Sequence, residues 1–336
     1  MGLKFDCIGF GSINLDEFWE VPKEFFKLAG VYPGQEVVRN VEWFNRYYPL
    51  LKQTGSLKAL GPGGSAANTI AALRRLGFVT GFFGAVGNDV DLALSLEELG
   101  SKHLLKIRRV NIPSGRCLAL INSEDLNRDR ALIILPNANE LADLDALDNQ
   151  YFCESSWIHM TSFVDLRPLE AQKRLIKTLP ETVRVSFDPG ALYCAMGAKA
   201  LETILSRSEI LFVTREELSA ITGLDDLNRA ALITLELGIR TVVVKMGPKG
   251  IIAFESNGQW FQEPILTAKV VDRTGAGDVA AAGFLAGRIL GLSITDCLQL
   301  AAAAASYSIQ DYGRSSYPDR QFLKKFLANL NKNVYL

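Results

Sequence analysis

Short, continuously apolar runs rich in Val, Ile and Phe recur along the chain, and most are followed by stretches whose apolar positions repeat every three to four residues. The first pattern is that of a strand buried on both faces, the second that of a helix with one buried side. Strands are predicted over Phe5–Phe10, Val79–Val86, Cys117–Ile121, Ala131–Leu135, Trp157–Met160, Val183–Phe187, Ile210–Val213, Thr241–Met246 and Thr267–Val271. Between them, Ser65–Leu76 sets Ala66, Ile70 and Leu73 on one helix face and stops at Gly77, and Val90–Leu99 stops at Gly100. Both glycines stand where a left-handed C-terminal cap is needed. From Ala276 onward the pattern turns helical over Val279–Leu290, Thr295–Gln310 and Asp319–Leu330, with Ala301–Ala305 marking a tightly packed inner helix. Such alternation predicts an α/β fold, doubly wound, with a mostly parallel sheet flanked by helices.

Two stretches interrupt the alternation: Phe18–Leu60, rich in aromatics and turn residues, and Arg116–Leu135, where the polar Asn122–Arg130 segment separates two strand-like runs. Residues 114–135 read as a β-hairpin, and 18–60 can add strands or helices beside it, so the two form a small β-containing lid. No repeat or linker divides the chain, and 1–336 reads as a single domain with its lid at about 17–60 and 114–135.

Charge narrows the function classes. With 36 Lys+Arg against 37 Asp+Glu, the 336-residue chain lacks the basic excess that nucleic acid or an anionic membrane surface selects. No apolar run reaches the roughly 18 residues of a membrane span, and Asp6, Asn14 and Asp16 interrupt any signal-peptide core, so a cytoplasmic protein is expected. The five cysteines are scattered and never spaced as C-x-x-C, which suggests neither a disulfide framework nor a thiolate zinc site. His103 and His159 are the only histidines, excluding H-E-x-x-H chemistry and leaving few routes to a Ser-His-Asp relay.

Three glycine-rich segments carry the candidate chemistry. In Asp272-Arg273-Thr274-Gly275-Ala276-Gly277-Asp278 the glycines permit close backbone approach, and the amides of Ala276, Gly277 and Asp278 would open a helix as an anion site. Asp278, in that first turn, is placed to take a proton; it is equally readable as a helix cap. In Gly61-Pro62-Gly63-Gly64-Ser65-Ala66-Ala67-Asn68 a second glycine turn runs into a helix and sets Asn68 one turn in, either facing solvent or holding a ligand hydroxyl. Gly9-Phe10-Gly11-Ser12-Ile13-Asn14 fails as a dinucleotide fingerprint, because its sixth position is Asn14 and no acid-ended second strand follows. That argues against a dehydrogenase. Asn14 and Asp16, two apart in an extended segment, would project to one side as paired acceptors for a polyol, or form an Asx turn.

Together these pieces resemble the PfkB or ribokinase-like family of ATP-dependent sugar and nucleoside kinases, from about Gly9 to Gly313. Gly63-Gly64 with Asn68 is similar to the family's N-terminal signature and Asp272 to Asp278 to its C-terminal one. Gly84, Gly87 and Asp89, the Asp188-Pro189 pair, Glu217 and Gly247-Pro248-Lys249-Gly250 follow in the family's order. The resemblance implies a ribokinase-like fold using ATP and Mg2+, with a small-molecule sugar or nucleoside as partner. Asp278 would be the catalytic base and Gly275, Ala276 and Gly277 would join it in an anion hole. Asn14, Asp16, Gly63, Gly64, Ser65, Asn68 and Arg130 would bind the acceptor; Lys245, Gly247, Gly250 and Thr274 the nucleotide; and Glu217 would reach magnesium through water. The resemblance extends to monovalent-cation activation near Asp272 and Thr274 and to a homodimer formed through the lid.

The chain departs from the family at Thr214-Arg215-Glu216-Glu217, where N-x-x-E is usual. T-x-x-E is also a capping box, which gives Glu217 a purely structural alternative. Catalytic silence, a binding module of the same fold, is therefore a second reading, against which Asp278 and both intact glycine loops stand. Ser65 replaces the lysine of ribokinases and, with Val31-Tyr32-Pro33-Gly34-Gln35-Glu36 and Arg130, is similar to adenosine kinases. Trp43, Phe44, Tyr47 and Tyr48 would either stack on a base or fill the lid's core, and His159, at the end of a central strand, either meets ligand or is a satisfied core residue.

Overall fold

The strands of the computed structural model, which describes residues 4–89, 93–122, 130–142, 149–255, 258, 260–263, 270–311 and 313–330, fall into two sheets. They are β1 (Phe5–Phe10), β2 (Asn14–Val21), β3 (Glu36–Val38), β4 (Ser56–Gly63), β5 (Thr80–Gly87), β6 (Leu105–Val110), β7 (Gly115–Asn122), β8 (Arg130–Leu135), β9 (Ser155–Thr161), β10 (Arg184–Asp188), β11 (Ile210–Thr214), β12 (Thr241–Lys245), β13 (Ile251–Glu255) and β14 (Trp260–Glu263). The larger sheet has the order β14-β13-β12-β11-β10-β9-β1-β5-β6. It is parallel from β12 to β6, while β13 and β14 add on antiparallel. The chain leaves β1 toward β5 and β6, then returns to β9 on the other side, which makes the β1/β9 boundary a topological switch point. Ligand crevices open at the carboxyl ends of strands at such points.

Helices cover both faces of this sheet. Ser65–Leu76 ends at Gly77 in the left-handed region, φ 104°, as the sequence predicts. Gly100 is different: it is not left-handed, and the helix before it is Ala93–Glu97, residues 90–92 of the expected Val90–Leu99 lying outside the described residues. Its missing side chain instead lets the backbone lie against the carbonyl of Thr80. The helices Ala276–Ile289 and Ile294–Ser308 pack closely because small residues face each other; a Cβ on Gly283 would stand 2.8 Å from the Ala301 Cα. Ala301–Ala305 are buried there, as the alanine run implied. The strand expected over Thr267–Val271 falls largely on residues 264–269, which lie outside the described residues.

The smaller sheet, order β3-β8-β7-β2-β4, stands beyond the carboxyl end of β1 as the lid. Its β7–β8 pair is the predicted hairpin. Its first segment runs from Asn14 to Gly63, against the expected 17–60, and its second holds β7 and β8 between Gly115 and Leu135, against the expected 114–135. Helices Lys23–Ala29 and Val41–Thr54 pack on one face around Trp19, Phe25, Phe26, Trp43, Phe44, Leu118, Leu120 and Ile133. Trp43 and Phe44 are thus lid core, with Tyr47 and Tyr48 packed against it. Glu17 lies on this apolar side because Arg116 meets its Oε1 at 2.9 Å, and Arg116 also reaches Asp89 at 2.7 Å. Asp89, just after β5, accepts the Ser114 amide as well, so it ties the lid hairpin to the large sheet.

Candidate active site

Two helices begin at the mouth of the crevice, and each start is a glycine turn. Gly64 has φ 98°, and a side chain there would run into the Ser12 carbonyl. Gly275, φ 75°, brings the chain against Asn68 and the Tyr317 hydroxyl before the helix Ala276–Ile289 opens. These turns hold the starts of the two helices together at Asp278. Ser65 Oγ donates to Asp278 Oδ1 at 2.7 Å, Asn68 Nδ2 to Oδ2 at 2.8 Å, and Thr69 Oγ1 to the Asp278 carbonyl at 3.1 Å.

Burial pushes the Asp278 carboxyl up to about 6; the Ser65 and Asn68 hydrogen bonds act against this, the negative charge of Asp188 adds to it, and Lys245 opposes it. Such a group is ionised at neutral pH yet basic enough to accept a proton. The first-turn amides of a helix lack intrahelical partners. Of the three amides expected to form an anion site, that of Ala276 donates to the Arg273 carbonyl at 3.2 Å, and those of Gly277 and Asp278 follow it in the first turn.

Lys245, the last residue of β12, lies alongside Gly277: a Cβ there would stand 3.7 Å from the ammonium. Asp188, the last residue of β10, holds that ammonium at 2.5 Å. Burial disfavours the charged lysine, but Asp188 and Glu217 outweigh it and raise its pKa. The glycines of Gly247-Pro248-Lys249-Gly250 form the turn between β12 and β13, with Met246 donating its amide to the Gly250 carbonyl at 2.9 Å. Glu217 caps its own helix: Oε2 accepts the Thr214 amide at 2.7 Å while Thr214 Oγ1 accepts the Glu217 amide at 3.2 Å. Its carboxyl is raised by burial and by Asp188.

On the other side of Asn68 is a cavity of about 340 Å³ lined by Asp16, Phe18, Asn68, Asp272, Thr274 and Arg314 among others. Asp16 and Asn14 share one face of β2. The Asp16 carboxylate occupies the space a Gly63 side chain would need, which explains the first glycine of that pair. Burial pushes Asp16 up to about 7, with Arg314 acting against it and Asp278 and Asp272 adding to it. Asn14 is less available than the sequence suggests, since its Oδ1 accepts from Asn139 Nδ2 at 2.8 Å. Thr274, expected to bind the nucleotide, borders the Asp16 cavity. The Arg130 side chain lies outside the described residues. His159 is fully buried in β9 with Nδ1 3.0 Å from the Ser186 hydroxyl, and burial lowers its pKa to about 4.

Asn139, Arg314 and the Asp188–Lys245 pairing were not foreseen. Nothing local marks them, since Arg314 reaches Asn68 across 246 residues and Lys245 reaches Asp188 across 57.

The family described as pfkB family carbohydrate kinase matches residues 35–320. A protein from Archaeoglobus fulgidus described as an uncharacterized sugar kinase is 32% identical over 246 residues, covering 72% of this chain and 95% of that protein. A cytidine kinase from Thermococcus kodakarensis is 29% identical, covering 75% of this chain and 89% of its own. Among solved structures, Arabidopsis thaliana ribokinase complexed with ribose and ATP superposes with a TM-score of 0.76 at 25% identity, covering 97% of this chain and 99% of that one.

Proposed function

The chain belongs to the pfkB family of carbohydrate kinases, and from that premise we propose that it transfers the γ-phosphoryl group of ATP to the primary hydroxyl of a sugar or nucleoside seated beside Asp16. The observation that carries this reading is the position of Asp278. Its carboxylate lies at an open helix N-terminus and is held by Asn68, whose side chain also lines the cavity.

In this reading the acceptor hydroxyl loses its proton to Asp278 as its oxygen forms a bond to the γ-phosphorus, and the bond to the β-phosphate oxygen breaks to release ADP. Ser65 and Asn68 keep the base aimed and ionised. The amides of Gly277 and Asp278 and the Lys245 ammonium meet the charge on the transferred group. Asp188 fixes that ammonium, so its orientation is set before substrate arrives. Asp16 and Asn68 hold acceptor hydroxyls. Gly247 and Gly250 line the nucleotide's path. Asp188 and Glu217 carry oxygen donors of the kind magnesium takes and would hold it, Glu217 through water; the ion would supply positive charge against that of the phosphates. The lid sheet, reaching the cavity through Asp16 and Phe18, would close over the acceptor and exclude water as a competing acceptor.

The test is incubation with MgATP and a panel of pentoses, ketohexoses, keto-deoxy sugar acids and purine and pyrimidine nucleosides, read by 31P NMR. A new phosphomonoester on a CH2–O group is expected from one acceptor class. No phosphomonoester from any member, with ATP and an acceptor still raising the melting temperature, would contradict the kinase reading and leave the binding module, in which the Thr214–Glu217 capping box is purely structural.

A further inference from the structure

Arg314, in the short turn Gly313–Ser316, has no part in the transfer described above, yet it is only 5% exposed beside the base. Its Nε donates to Asn68 Oδ1 at 3.0 Å, Nη1 to Glu98 Oε2 at 2.9 Å and Nη2 to the Gly63 carbonyl at 3.4 Å. A guanidinium has only donors, so the Asn68 atom that faces it must be the amide oxygen. That leaves Asn68 Nδ2 toward Asp278 Oδ2, at 2.8 Å. An asparagine amide left to itself has two orientations of nearly equal shape. The reversed one would set a carbonyl oxygen against the carboxylate.

We propose that Arg314 is a positioning residue of the transfer site, locking the Asn68 amide in the one orientation that donates to Asp278. The inference rests on Asp278 acting as the base. It accounts for a buried arginine two of whose acceptors, Asn68 and Glu98, line the cavity beside Asp16, and it links the C-terminal segment to the chemistry. Besides Ser65 and Asn68 from one helix, Asp278 feels Asp188 and Lys245 from β10 and β12, and Asp16 and Tyr317 feel it in turn from β2 and the segment after Arg314. None of these supplies a rival donor to Asp278 Oδ2. Freed from Arg314, the Asn68 amide can turn, and the Asp278 carboxylate then loses a donor that favours its ionised form.

The experiment is a 13C titration of aspartate carboxyl groups, with the Asp278 signal assigned by its loss in Asp278→Asn. It needs no turnover, so inactivity of the wild type toward every acceptor would count against the kinase reading while the titration still decides this one. In Arg314→Met the Asp278 midpoint moves to higher pH. Arg314→Lys keeps the positive charge but loses the planar fork, so the same upward move there separates amide locking from a simple loss of field, and it serves as the variant to read if Arg314→Met does not fold. Added to Asn68→Ala, Arg314→Met produces little further movement, because the amide it would release is gone. Where turnover is measurable, kcat falls about 5- to 100-fold with the KM for ATP unchanged, the range expected when one buried hydrogen bond is lost. An Asp278 midpoint unmoved in the arginine variants, or an equal increment in the Asn68→Ala background, overturns the proposal.

Discussion

With Asp278 as the proposed base, its surroundings make a pH prediction. Burial holds its folded pKa near 6, above the ordinary carboxylate value, so the ionised base is present above that pH and is lost as the pH falls through it. Asp16, near 7, shares the field and couples to it, so the two titrate as a pair with apparent values. We therefore expect kcat/KM to rise with pH across about 6 to 7 and then level, a profile read from initial rates at fixed ionic strength. A profile flat from pH 5 to 8 would remove the carboxylate from the rate-limiting chemistry. Ser65, Asn68 and Asp278 were legible in the sequence because each lies within one turn of a glycine-marked helix start. Arg314 was not: one arginine after one glycine carries no local pattern, and its partners are supplied by packing.

At the scale of elements, Thr214 decides how Glu217 is used. The capping box satisfies two backbone amides of the helix Arg215–Thr222 and engages one Glu217 oxygen. Thr214→Ala removes one cap bond and should lower stability by about 0.5–2 kcal/mol, seen as a shifted urea midpoint with unchanged slope. Because Glu217 would then be held less firmly, the magnesium concentration giving half-maximal activity should also rise; an unchanged value would leave Glu217 a structural residue only. The elements that the sequence concealed have physical reasons for it. β2 alternates, but buried Glu17 breaks the apolar pattern on its core side, and its burial is made tolerable by the Arg116 guanidinium together with donors from Trp19 Nε1 and the Tyr48 hydroxyl. β4, Ser-Leu-Lys-Ala-Leu-Gly-Pro-Gly, is exposed along most of its length and has no buried face to print a pattern on the sequence. The central strands were read correctly because a sheet covered on both faces demands continuous apolar runs.

Across the whole molecule, the large sheet supplies a rigid frame whose strand ends carry Asp188, Thr214 and Lys245, while the lid sheet brings Asp16 from the opposite side. The Glu17–Arg116–Asp89 bridge fixes how the two meet. The helix starting at Ala276 has Lys245 alongside Gly277 and Asn68 on Asp278, so in the proposed function one short segment would see both the nucleotide side and the acceptor side. The glycine-marked helix starts are visible in the sequence, whereas the cavity's arginine and the lysine held at the helix start depend on contacts that only the fold supplies. The measurement that tests the central claim most directly is kcat for Asp278→Asn against wild type with the best acceptor, alongside ATP affinity measured calorimetrically. The account predicts a fall of about 10²- to 10⁴-fold in kcat with ATP affinity nearly unchanged; a variant that keeps turnover within tenfold of wild type would contradict it.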